Sequence, residues 1–191
     1  MKLPKGARRV FKGIIFEVWQ WQQKQFDGSF ATFEKLRRVN TAQVIAESGG
    51  KILVIKQRQP HRAKAFMSLP GGQCGWDENP LAAAKRELLE ETGYVSKDWQ
   101  LWLETVPHNK LVWTIYTFIA HECKKIQEPK PDAGEKFEVK LYNFDKLLAL
   151  ADDPNFYEKE LTNNFLRAKY EPKVYKALKN KIFKKGGVRH V

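Results

Sequence analysis

The chain has 191 residues, 42% of them apolar, enough for the core of one folded unit; its two cysteines, Cys74 and Cys123, are too few for a disulfide framework. Thirty-four Lys and Arg stand against 22 Asp and Glu, a formal net charge of +12, which favours anionic partners such as nucleotides, nucleic acid or an acidic membrane surface without choosing among them. The opening stretch MKLPKGARRVFKG lacks the apolar centre of a signal peptide, and no apolar run approaches the roughly 18 residues of a membrane helix, so the expectation is a cytoplasmic protein that does not span a bilayer.

In chain order, Ile14 to Trp21, Ala31 to Val39 and Thr41 to Glu47 are rich in β-branched and aromatic residues, with turn chemistry at Asp27-Gly28 and Gly49-Gly50; these predict antiparallel strands. Lys51 to Lys56 (KILVIK) predicts a buried strand, Leu111 to His121 a longer one, and Phe137 to Phe144 another after the loop EPKPDAG. From Phe144 onward the period turns helical through FDKLLALA, EKELTNNFLRAKY and KVYKALKNKIFKK, interrupted by Pro154 and Pro172. A mixed sheet flanked by helices, in the α/β class, is the sum.

Between those strands lies GGQCGWDENPLAAAKRELLEETGY, Gly71 to Tyr94. Asn79 suits an N-cap, Pro80 the first helical position and Gly93 the left-handed C′ position, so a helix is expected from Pro80 to Thr92. Leu81, Ala84 and Leu88 form its buried stripe, while Glu87, Glu90 and Glu91, at i, i+3 and i+4, gather on another face. Neighbouring like charges on a helix are mutually destabilising. Arg86 reaches Glu90 at i+4 but cannot by itself balance the cluster, so a cation is expected. Hard oxygen donors with no Cys or His pair beside them indicate Mg²⁺, with Mn²⁺ as its replacement.

A lone glutamate-rich run is more often a solvated helix face. Here the pattern is longer: Gly72, five residues, Glu78, seven residues, Arg86-Glu87-Leu88, one residue, Glu90-Glu91, one residue, Gly93 and Tyr94. Chance agreement at all these positions has odds on the order of one in a hundred thousand or less. The string resembles the signature of the Nudix hydrolases, with Tyr94 standing where a smaller aliphatic residue is usual, and Leu69-Pro70-Gly71 ahead of it is also typical. The resemblance implies an α/β/α sandwich with a mixed β-sheet over residues 1–191: N-terminal antiparallel strands in 1–40, a catalytic core in 41–152 and C-terminal helices in 153–191.

By position, the resemblance implies that Glu87, Glu90, Glu91 and Gly72 form the metal site, with Glu90 and Glu91 catalytic, and that Glu78 and Arg86 position the loop and helix. The implied reaction is attack of water on the pyrophosphate of a nucleoside diphosphate linked to another moiety. The general base is a glutamate of the box or of the loop PKPDAGEKFEV; Glu135 is favoured over Glu138, which is expected to point outward from the next strand.

The flanking segments are similar to the ADP-ribose and nucleotide-sugar pyrophosphatase branch, in which N-terminal strands exchange between the subunits of a homodimer. Trp19 and Trp21, at i and i+2, face one side of a strand and are candidates to stack on a base, the alternative being a packing role at a dimer interface. In ILVIKQRQP, Lys56 and Arg58 straddle the place of a phosphate-binding arginine, with Gln57 between them. Pro107 lies nearer the box than the proline that marks ADP-ribose enzymes.

Cys74 reads as a filler of the loop rather than a redox switch, and the four histidines show no metal spacing. The basic tail KVYKALKNKIFKKGGVRH also suits RNA, which keeps a Nudix hydrolase of RNA 5′ ends or (d)NTPs as a rival. The remaining alternative is a non-catalytic module that senses a nucleotide.

Overall fold

The computed structural model describes residues 2–130 and 136–183, so Glu135 lies outside the described residues, as do Lys184, Lys185 and Arg189 of the basic tail. The strands are β1 (Arg8–Lys12), β2 (Glu17–Lys24), β3 (Phe30–Arg37), β4 (Thr41–Ser48), β5 (Lys51–Arg58), β6 (Phe66–Ser68), β7 (Gly71–Gln73), β8 (Tyr94–Val95), β9 (Asp98–Thr105), β10 (Leu111–Val112), β11 (Ile115–His121), β12 (Lys124–Lys125) and β13 (Lys136–Tyr142). The α-helices are α1 (Pro80–Thr92), α2 (Phe144–Leu148), α3 (Thr162–Tyr170) and α4 (Pro172–Ile182).

The central sheet has the order β13-β5-β4-β11-β9, with β6 on β5 and β7 on β4. β11 runs parallel to β4 and the other pairings are antiparallel, which makes the sheet mixed. Its middle strands are apolar on both sides because both faces are covered. Ala42, Val44, Ala46, Leu53, Phe118 and Ala120 face Ala83, Ala84 and Leu88 of α1. The alternating residues Ile45, Ile52, Val54 and Ile119 face Leu147, Leu148, Phe165, Leu178 and Ile182 of the C-terminal helices. The period of two thus divides one apolar run between two cores, giving the α/β/α sandwich.

β4 and β5 pair only at their hairpin end, Glu47 with Ile52 and Ser48 with Lys51, and then diverge. The segment 66–73 crosses the gap, leaving β5 as β6 and joining β4 as β7. This divergence opens the space for a cleft.

A second, four-stranded sheet, β1-β2-β3-β10, carries exposed apolar side chains including Val10, Phe11, Phe30 and Phe33. The run Leu111 to His121 is not one strand. It breaks at Trp113-Thr114, passing from β3 in this sheet to β4 in the central one, while Thr114 N–H donates to Asn40 Oδ1 at 3.0 Å. β9, whose alternation is interrupted by polar residues, carries no clear strand signal in the sequence although it closes one edge of the sheet.

Phe144 begins α2 instead of ending a strand, because Asn143 Oδ1 caps the helix by accepting from Lys146 N–H at 2.8 Å. The expected helical run from Glu158 starts regular α-helix only at Thr162. Ahead of it, Phe156 bridges Met67 of β6 and Tyr157 N–H donates to Met67 O at 2.8 Å.

α1 has the expected bounds. Asn79 Oδ1 accepts from Leu81 and Ala82 N–H, Pro80 stands in the first turn, and Gly93 closes the helix at φ 75°. A β-carbon on Gly93 would collide with the backbone of Gln127, to which the chain is tied by Ile126 N–H donating to Gly93 O at 2.9 Å. Gly93→Ala is expected to destabilise the fold by at least about 1–2 kcal/mol, the cost of a left-handed non-glycine residue, read as a lowered urea midpoint with unchanged slope.

Candidate active site

The N-terminal half of α1 begins after a tight loop, and Arg86 ties the two together. Its Nε and Nη2 each lie 3.1 Å from a Glu78 oxygen, Nη1 is 2.8 Å from Glu87 Oε1 and 3.1 Å from Glu90 Oε2, and Nη2 also donates to Gln73 O at 3.1 Å. Glu78 Oε2 in turn accepts from Gly75 N–H at 2.8 Å. One guanidinium therefore engages three of the cluster's four carboxylates, more than expected from the i,i+4 rule, because the loop folds back and brings Glu78 to it. Hydrogen bonding to Arg86 holds the Glu78 carboxyl below its usual value. Burial instead pushes Glu87 up, opposed by Arg86.

Glu91 is buried, and its Oε2 accepts from Gly71 N–H at 2.8 Å. Glu87 and Glu91 both line a cleft of about 370 Å³ together with Gly71 and Gly72. A β-carbon on Gly72 would displace the Glu87 carboxylate from the place it occupies. Glu90 lies at the rim and is half exposed. Among the described residues no three acidic, His or Cys side chains stand close enough to ligate one ion, because Arg86 draws Glu87 and Glu90 toward itself. The donor set nonetheless fits a hard divalent cation: two cleft-lining carboxylates, a third one turn away and a glycine backbone with no side chain between.

The other walls were not singled out in the sequence. Arg38 lines the cleft with its guanidinium 4.5 Å from the Trp113 ring centre, and its Nε is buried without a partner. Gln43, Gln57, Gln59 and Ser68 supply neutral polar groups, and Phe66 and Tyr157 lie 5.5 Å apart at one side. Gln57 is the residue of ILVIKQRQP that is buried toward the cleft, where its Nε2 donates to Ser68 Oγ at 2.6 Å. Lys56 and Arg58, expected to straddle a phosphate-binding place, alternate with it and are exposed; neither lines the cleft. Arg58 instead borders a surface hollow with Arg62 and Lys136.

Glu158 is the most enclosed acid among the described residues. Its Oε1 accepts from Leu69 N–H at 3.1 Å, and Oε2 is buried without a partner. Burial, with Glu160 and Glu91 adding like charge, pushes its carboxyl well above the usual range. Glu160 is held by Gln43 Nε2 at 2.7 Å. No local pattern marks Glu158, since its surroundings come from β6 and α1, about ninety and seventy residues away in a chain whose loops close at little added cost.

Trp19 and Trp21 sit on β2, outside the cleft. Trp19 Nε1 donates to Glu17 Oε2 at 2.9 Å beneath the Arg37 guanidinium, and Trp21 Nε1 donates to Gln23 Oε1 at 3.0 Å beside Phe33. Glu138 is exposed and paired with Lys140 at 2.9 Å, pointing outward as expected. Burial pushes the Cys74 thiol up to about 11, which suits a filler and not a reactive thiolate.

A family model described as the NUDIX domain matches residues 36–164. The chain belongs to the Nudix family. It is similar to the ADP-ribose pyrophosphatase of Bacillus subtilis (strain 168), 24% identical over 158 residues that cover 80% of this chain and 84% of that one. It is also similar to the mRNA-decapping protein g5R of African swine fever virus, 23% identical over 119 residues, covering 60% of this chain and 48% of that one. A solved structure of an ADP compounds hydrolase superposes with a TM-score of 0.70 at 16% identity, covering 88% of this chain and 92% of that one. The fold and the box together make this chain a Nudix hydrolase, and no helix among the described residues is long and apolar enough to cross a membrane.

The raised Glu158 carboxyl has a consequence for stability. Below the ordinary glutamate value of 4.5 the folded and unfolded states both hold the proton; above it the unfolded chain releases it first, so stability falls as pH rises toward the folded value. Glu158→Gln removes this loss. Its melting temperature relative to the wild type is expected to rise from pH 5 to pH 8, as measured by thermal melts at matched ionic strength.

Proposed function

We propose that this Nudix hydrolase is a Mg²⁺-dependent pyrophosphatase that cleaves a nucleoside diphosphate linked to another moiety, with ADP-ribose or a nucleotide sugar as the leading substrate. The observation that carries this reading is the meeting, in one cleft, of Gly72, Glu87 and Glu91 from the box with the unpaired guanidinium nitrogen of Arg38 on the wall. Glu87, Glu90, Glu91 and Gly72 would hold the metal. Mg²⁺, when bound, screens the diphosphate and makes its water a better nucleophile.

The rest is done by the chain. Arg38, stacked on Trp113 and without a carboxylate partner among the described residues, is pre-set to receive a phosphate oxygen, the role first expected of Lys56 and Arg58. Glu78 and Arg86 keep the loop and α1 in register, so that Gly72 stays beside Glu87. Glu135 takes the proton from the attacking water in this reading. Trp19 and Trp21 stack on the base or pack at an interface in a homodimer, to which the exposed apolar side chains of the N-terminal sheet also point. The similarity to an ADP-ribose pyrophosphatase over most of both chains supports the substrate class.

RNA 5′ ends are the second reading, favoured by the net charge of +12 and by similarity to an mRNA-decapping protein. Steady-state assays with ADP-ribose, nucleotide sugars, dNTPs and 5′-triphosphate RNA separate the two. AMP and ribose 5-phosphate from ADP-ribose, with a shallow salt dependence, are expected; activity confined to RNA and falling steeply with salt would overturn the proposal. Glu87→Gln, Glu90→Gln and Glu91→Gln are each expected to lower kcat at least about 100-fold with the fold retained by circular dichroism. Near-normal rates in all three would end the metal reading.

A further inference from the structure

Two buried side-chain polar atoms among the described residues lack a hydrogen-bond partner, Arg38 Nε and Glu158 Oε2, and both belong to residues lining the cleft. A buried polar atom left unmet is costly, and here both belong to the wall of one cleft. The two differ in what they accept. Arg38 is a cation suited to phosphate, whereas Glu158 is an oxygen suited to a neutral O–H donor.

Glu158 is fixed in place. Its Oε1 is spent on Leu69 N–H, and it makes no ion pair among the described residues. Glu91, one of the residues that would hold the metal in the reading above, accepts from Gly71 N–H on the same crossing segment. Leu69 and Gly71 are two residues apart, at most about 7 Å of chain, so the two carboxyl groups are anchored a short step from each other. Around Glu158 the cleft presents Gln43, Gln57 and Ser68, all neutral hydrogen-bonding groups, and Glu160 stands behind Gln43. A further phosphate placed beside Glu158 would meet its carboxyl group and neutral amides and hydroxyls, whereas a hydroxyl would find acceptors.

We propose that Glu158 is a specificity-determining residue whose free Oε2 binds a hydroxyl of the polyol joined to the diphosphate, selecting sugar-linked nucleoside diphosphates over triphosphate-ended substrates. This rests on the pyrophosphatase reading and narrows it.

The test compares wild type, Glu158→Met and Glu158→Gln on two substrates with Mg²⁺: ADP-ribose, and the β-methyl ester of ADP, which keeps the pyrophosphate and lacks the polyol. Glu158→Met also frees the Leu69 N–H, which lowers turnover of both substrates alike, so the expected result is a fall of about 10-fold or more in the ratio of kcat/KM for ADP-ribose to that for the methyl ester, mainly through KM for ADP-ribose. Glu158→Gln, a weaker acceptor, is expected to lower the ratio of the two kcat/KM values about three-fold, and decides the matter if the Met variant fails to fold.

An unchanged ratio, including a parallel fall on both substrates with an altered Mg²⁺ requirement, would show a structural or metal-facing role and overturn the proposal. If the wild type cleaves both substrates and the ratio stays fixed, only this inference fails. If it cleaves neither and acts on dNTPs or RNA ends, the pyrophosphatase reading fails with it.

Discussion

Four residues, Leu69 to Gly72, cross from one half of the central sheet to the other, and the site depends on how that crossing is held. Glu158 accepts the Leu69 N–H, Pro70 O accepts from Val44 N–H at 2.8 Å, and Glu91 accepts the Gly71 N–H. Carboxylates from the helix and from the C-terminal region therefore fix the same short backbone. Gly71 passes so close to β4 that a β-carbon would collide with Gln43 and Ala42 O. Position in such a crossing is set by tertiary packing on every side, which is what a site needing ångström-level placement requires.

The electrostatics follow from this geometry. Arg86 neutralises the outer carboxylates, Glu78, Glu87 and Glu90, and in doing so staples the loop to the helix. Deeper in the cleft, burial raises the carboxyls of Glu158 and Glu160. Exposed ion pairs contribute little to stability, so the role of Arg86 is better understood as organising the loop than as strengthening the fold.

The two sheets divide the remaining work. Arg38 and Trp113 lie where the chain passes twice between them, once from β3 to β4 and once from β10 to β11. A change in how the N-terminal sheet is seated would move the Arg38 guanidinium and so the cleft wall, which links the dimer proposal to the substrate site.

The sequence alone determined what depends on short separations. The bounds of α1, its caps and the pairing of Arg86 with Glu90 were legible because the 3.6-residue period and cap chemistry act within a few residues. The strands expected at 41–47 and 51–56 were legible from β-branched content and, in KILVIK, from a continuous apolar run, and the observed strands extend each by one or two residues. Only the tertiary structure decided that Gln57, and not Lys56 or Arg58, turns toward the cleft, since strand register depends on a partner. It likewise decided that Arg38, Tyr157 and Glu158 complete the walls, because those neighbours are far apart in the chain and no local pattern encodes a contact that only packing creates.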